Sequence, residues 1–301
     1  MKTSNKKILI SFIFMIAAII AVCFLANIDK LYATPLLTPK DFLKSMPYVN
    51  LTLFGQDIIF IQPSSSFFVY FLGIITSAYG IWFVAHNNQQ SSRKFWGVGM
   101  ILWGISALVA GTSYQAFGYM LKCAGKTYTL FTSKWELVYM LLTCYCINYL
   151  LIAVAKASTT GKIKSAITIF AICHATAYSL IMIIASSIPV EGLISYFGFV
   201  KMHAFNFILM FVISLIHYLR HKDILSRNFV FVWLLFIVVN VGYFAWLGLG
   251  MGTYLNTNYH FWFNENDMLH VLMILWMTFD FFALKNHLND VSVSDNTHPQ
   301  I

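Results

Sequence analysis

Near the C-terminal end the chain reads NENDMLHVLMILWMTFDFFALK (264–285). An amide, an acid and an imidazole (Asn266, Asp267 and His270) open a run that is otherwise apolar. Residues three and four apart meet on one face of a helix, so Asn266 and Asp267 both stand beside His270. A carboxylate or amide next to an imidazole can orient the ring or share a metal with it. His203 and Asn206 stand in the same i, i+3 relation within another apolar run. Ser113 and Gln115 close a third run, and Glu136 opens a fourth. Part of this pattern has a purely structural reading. Glu265 and Asp267 suit the positive end of a helix dipole, and Asn264 or Asn266 can cap it. His174 and Asn148 read as interhelical hydrogen-bond partners. Lys201 can snorkel outward, and Asp280 can pair with a loop cation such as Arg220 or Lys222.

The elements that must position these residues are set by composition. The 301 residues are 59% hydrophobic and 10% charged, whereas soluble domains carry about 25% charged residues. Lipid is therefore the solvent. Eight runs reach the roughly 20 apolar residues that a spanning helix needs: 7–26, 66–85, 95–120, 136–155, 164–186, 194–218, 229–250 and 267–285. The expected fold is all-α: a polytopic transmembrane bundle of eight helices. It divides into an anchor or signal-like segment at 1–26, a connection at 27–65, a seven-helix core at 66–285 and a disordered tail at 286–301. The net charge of +8 lies in short loops between runs, which is the signature of membrane topology and not of nucleic-acid binding.

Lys2, Lys6, Lys7, Arg93, Lys94, Lys156, Lys162, Lys164, Arg220, Lys222, Arg227 and Lys285 all fall on one side if the runs alternate. The positive-inside rule then puts both termini in the cytoplasm of an integral protein of the cell or inner membrane. The loop 121–135, with three Lys, runs against the bias. The first run also has the basic start of a signal peptide, but Val22 before Cys23 and the lack of a small-x-small site favour an uncleaved anchor. Removal of that run would leave seven helices with an outside N-terminus. The connection 27–65 interleaves apolar and charged residues and is expected on the outer membrane surface. Of five Cys, four lie in apolar runs as small hydrophobes, and no disulfide framework is implied. With that topology, Ser113, Gln115, Glu136, His203, Asn206, Asn266, Asp267 and His270 all belong to the outer leaflet.

Three short segments are similar to the alkaline ceramidases and the wider CREST membrane hydrolases. NDMLHVLMILW resembles that family's last helix with its His-x-x-x-His, Asn266 standing at the first His and His270 at the second. WELVYMLL resembles the Asp-Glu-Leu-Pro-Met segment, with Trp135 at the Asp and Glu136 at the Glu. GTSYQAF falls where the family has Ser-x-x-x-His, with Gly111 at the Ser and Gln115 at the His. The resemblance implies a seven-helix core and a zinc site, of whose five positions this chain keeps His270 alone. Glu136, Asp267 and His203 are the available substitutes.

Three functions follow as expectations. The first is a divergent member that binds a lipid or small ligand at the outer polar cluster through Ser113, Gln115, Asn266, His203 and Asn206. The second is a zinc-dependent hydrolase of lipid amides or esters, with zinc on His270 and with Glu136 or Asp267 moving the proton. The third is a proton-coupled transporter, although no inverted repeat is visible. P-loop, Gly-x-Ser-x-Gly and His-Glu-x-x-His motifs are absent from the sequence.

Overall fold

The computed structural model describes residues 2–53 and 55–291, with the backbone alone for 2–7 and 53. The chain forms α1 (Lys2–Leu25), α2 (Pro39–Lys44), a hairpin of β1 (Tyr48–Leu53) and β2 (Gln56–Ile61), α3 (Pro63–Ala85) and α4 (Ser91–Ala110). A π-helical turn at Gly111–Ala116 and the short α5 (Gly118–Lys122) continue α4. Then come α6 (Lys134–Ser158), α7 (Gly161–Ser187), α8 (Glu191–Ile194), α9 (Tyr196–His221), α10 (Ile224–Gly248), α11 (Met251–Tyr259) and α12 (Glu265–Leu284). Among the described residues eight helices are long and apolar enough to cross a membrane, as the runs predict. The protein is an all-α multi-pass membrane bundle.

The helix starts follow local chemistry. Ser133, Ser195 and Asp223 each accept an N-terminal N–H of the helix they precede, and Pro63 opens α3. The core is organised on α6, 89% of whose spanning window is buried against 17% for α10. So α6 is the axle, with α4, α7 and α9 around it and α1 lying across α6 and α7. The remaining helices, α3, α10 and α12, pack against that ring. Helices α3 and α4 meet backbone to backbone: a Cβ on Gly80 would lie 2.6 Å from the Gly97 carbonyl oxygen. Small residues facing each other are the usual route to close approach in lipid, where no hydrophobic force drives helices together.

The two ends of the bundle differ. One carries the hairpin, α5, α8 and α11; we refer to it as the hairpin end. The 27–65 connection folds there as α2 and the antiparallel hairpin, with Thr52 facing Asp57, and Ala33 and Phe131 tie it to the loop before α6. At the opposite, terminal end, residues 286–291 do not trail away as expected. Asp290 accepts the N–H groups of Ser91 and Ser92, and the Val291 N–H donates to the Lys156 carbonyl. The rest of the expected tail, 292–301, lies outside the described residues.

Candidate metal centre

Halfway along the bundle, α6, α7 and α9 bring polar side chains together. On α6, Cys144 and Asn148 are one turn apart and share a face. On α9 the buried stripe runs Phe199, His203, Asn206, Met210 and Ile213, with helical spacing. From α7, His174 enters between them. At 1.5 Å per residue, Cys144 lies about 15 Å along α6 from Lys134, near the middle of a hydrocarbon layer about 30 Å thick.

Every polar atom here is reached by a neighbour or left open in a specific way. Asn148 Nδ2 donates to the Cys144 carbonyl at 2.8 Å and lies 3.1 Å from His174 Nδ1. Asn206 Nδ2 donates to Asn148 Oδ1 at 3.2 Å and lies 3.4 Å from His174 Nδ1. Asn148 and His174 thus form the interhelical pair that the sequence predicts. The hydrogen-bond network assigns the tautomers. His174 Nε2 is 3.1 Å from the Met202 carbonyl, so Nε2 carries the proton and Nδ1 the lone pair. His203 Nδ1 is 2.8 Å from the Phe199 carbonyl, so Nδ1 carries the proton and Nε2 the lone pair. That Nε2 is buried and has no partner, as is Asn206 Oδ1. His203 itself is only 1% exposed.

Cys144, His174 and His203 each offer a ligand atom, and the three atoms lie within 4.8 Å of one another. Bonds of roughly 2.0 Å to nitrogen and 2.3 Å to sulfur would hold such atoms about 3.5 Å apart. The set would close around an ion by about 1 Å. Each imidazole anchors its second nitrogen on a backbone carbonyl, as metal-ligating histidines do. A crevice of about 330 Å³ between α1, α6 and α7 approaches the same place; Phe14, Tyr145, Asn148, Tyr149, Ala171 and Ala175 line it.

The other predicted residues are distributed elsewhere. Asp267 completes a capping box at the start of α12: it accepts the Asn264 N–H at 2.8 Å and the Ser65 hydroxyl at 2.9 Å. Asn266 is half-buried in the same first turn, its N–H taken by Asn264. Glu136 is held by Lys122 at 2.8 Å and by the Thr132 hydroxyl at 3.0 Å. Ser113 donates to the Ala110 carbonyl in the π-turn, and Gln115 is buried there with Oε1 unpartnered. His270 is buried with Nδ1 unpartnered, on a helix packed chiefly against α3 and α10. Among the described residues the three-ligand grouping is the one at Cys144, and His270 is not in it. Only His203 and Asn206 of the predicted residues reach the midway cluster. Lys201 faces outward, and Asp280 is buried with Oδ1 unpartnered, without the expected loop cation.

No family model, curated protein or solved structure matches the chain. The site must be read from its own geometry.

Sequence reasoning missed Cys144, taken there for a small hydrophobe. The available signal was Cys144 one turn before Asn148, a polar pair on one face of an apolar run. Cys123, outside the spans, is a different case: burial pushes its thiol up, opposed by the Thr129 contact and by the nearby Lys122 and Lys126 charges.

Proposed function

We propose that this is an integral membrane metalloprotein whose metal sits inside the bundle on Cys144, His174 and His203. One observation carries the reading: a thiol and two imidazoles from three helices each bring a ligand atom within 4.8 Å of the others, and His203 Nε2 has no other partner. Ionisable groups at membrane depth are costly and mark functional sites by default. An unpaired buried nitrogen calls for an explanation, and an ion shared with the two neighbouring ligand groups supplies one. Metal analysis of the detergent-purified protein tests this. About one ion per chain should be found, and lost in His203→Ala and Cys144→Ser but kept in His270→Ala. Metal lost in His270→Ala and kept in His203→Ala would refute the assignment and restore the site expected from the resemblance.

A second reading draws on the crevice. A three-ligand site has an open position for water, and an apolar cleft beside Asn148 fits a lipid chain. Together they support a hydrolase acting on a lipid amide or ester, in which the cluster rather than His270 would hold the metal. Release of fatty acid from a ceramide or phospholipid panel, absent in His203→Ala, is the expected result. The same release in both proteins counts against it.

A further inference from the structure

Resting on the metal reading, we infer that the site selects a soft monovalent ion, copper(I), over zinc(II). The argument is charge. The ligand form of Cys144 is a thiolate, with charge −1, and both imidazoles ligate neutral, since each keeps one N–H on a backbone carbonyl. The ligand set therefore sums to −1. None of Cys144, Asn148, His174, His203 and Asn206 hydrogen-bonds to a charged side chain. Lys201, the nearest cation in sequence, is exposed on the opposite face of α9.

A monovalent ion makes the assembly neutral. Zinc leaves a net charge of +1 near the middle of the membrane, where an unpaired charge is heavily penalised. The donors point the same way. Thiolate is a soft ligand, and one sulfur with two imidazoles in a trigonal set is a copper arrangement. Zinc prefers a fourth ligand, and the spare atoms beside the set, Asn206 Oδ1 and the Tyr178 hydroxyl, are neutral and leave the charge uncorrected. On binding, the ion replaces the Cys144 thiol proton, which is released to solvent, and takes the His174 Nδ1 lone pair. Asn148 keeps its bond to the Cys144 carbonyl, and Asn206 keeps its bond to Asn148.

The test uses the full chain in nanodiscs. Copper(I) is presented from a bicinchoninate complex, silver(I) serves as a redox-inert monovalent mimic, and zinc(II) and cobalt(II) are the divalent probes. One copper(I) and one silver(I) should bind per chain. Both should be lost in Cys144→Ser, and cobalt should give no thiolate charge-transfer band. Asn148→Ala, which removes a supporting amide and no ligand, should weaken copper(I) about 10–100-fold. His203→Gln serves as a second ligand variant if Cys144→Ser fails to fold. Zinc or cobalt bound one per chain through Cys144, with silver unbound, overturns the monovalent selection and leaves the metal centre standing. Copper(I) bound equally by Cys144→Ser, through the other cysteines, overturns the inference. No ion bound by any probe overturns both proposals.

Discussion

Of the polar regions buried in this bundle, one at the terminal end and one halfway along it contrast most sharply. At the terminal end Arg93 is 6% exposed and spends its guanidinium on the carbonyls of His86, Lys285 and Leu288. Asp290 returns the favour from the chain beyond α12, taking the first N–H groups of α4, while its own N–H donates to Gln90. A cation thus closes the C-terminal end of α12 and an anion closes the N-terminal end of α4, each at the dipole end that favours it. The charged groups there are matched to backbone partners, although the Ser92 hydroxyl is left over. The midway cluster has two imidazoles, two amides and a thiol, no formal charge, and atoms left over. The lesson is that burial and polarity alone do not mark a site in a membrane bundle, nor does a lone unpartnered atom such as His270 Nδ1; the distinguishing feature is such an atom beside two further ligand groups from other helices.

The strongest way to break this comparison is to attack the matched region. Arg93→Met should cost on the order of 3 kcal/mol, because it orphans buried carbonyls at the end of α12. Thermal unfolding in detergent should show that loss with metal content unchanged in the folded fraction. An effect under about 0.5 kcal/mol would mean that water satisfies those carbonyls and that Arg93 does not hold the end of α12.

The converse substitution falls in the cluster. His203→Leu removes an unpaired nitrogen and keeps an apolar body against Phe199 and Tyr178, whose rings lie 4.2 and 4.7 Å away. Stability without metal should change by less than about 1.5 kcal/mol. Stabilisation by metal, about 2.7 kcal/mol for wild type at a hundred times Kd, should vanish. Unfolding curves with and without copper(I) measure both.

These contrasts also explain how far the sequence was readable. Spans announce themselves through length and hydropathy, and the eight helices follow the eight apolar runs. The interhelical Asn148–His174 bond was legible because a lone polar residue in a span must find a partner. The centre was not legible, because its members come from three helices whose rotation about their axes depends on packing. Cys144 lies on a helix buried nearly all round, so no amphipathic stripe shows which face is special. The opening of α12 reads differently: Asn266, Asp267 and His270 are close in sequence, and the capping role that the sequence offers for Asn264 is the one observed. Asp267 is used by the helix start itself.

That use makes a smaller prediction. Asp267→Ala removes half of the capping box and the Ser65 contact, and should cost about 1–2 kcal/mol. Metal binding should remain within error. Loss of metal in this variant, at unchanged helicity, would reconnect α12 to the centre and blur the distinction between regions.

The smallest effect is expected at Asp223, between α9 and α10. It caps α10 through Ser226 and lies 3.3 Å from His217 Nδ1. Partial burial raises its carboxyl, but the bonds from His217 and Ser226 outweigh this and hold it well below the usual carboxylate range. A depressed acid stabilises the fold above its unfolded pKa of about 3.9, and that contribution disappears as pH falls through the folded value. Unfolding temperature should therefore drop on acidification from pH 5 toward about pH 3, and the drop should be shallower in Asp223→Asn. Asp223→Ala, which also removes the cap, should cost about 1 kcal/mol at neutral pH. Because the half-exposed carboxylate is screened, the pH-dependent part should shrink in high salt while the capping part persists. An acid dependence identical in wild type and Asp223→Asn would assign it to other carboxylates and leave Asp223 as a cap alone.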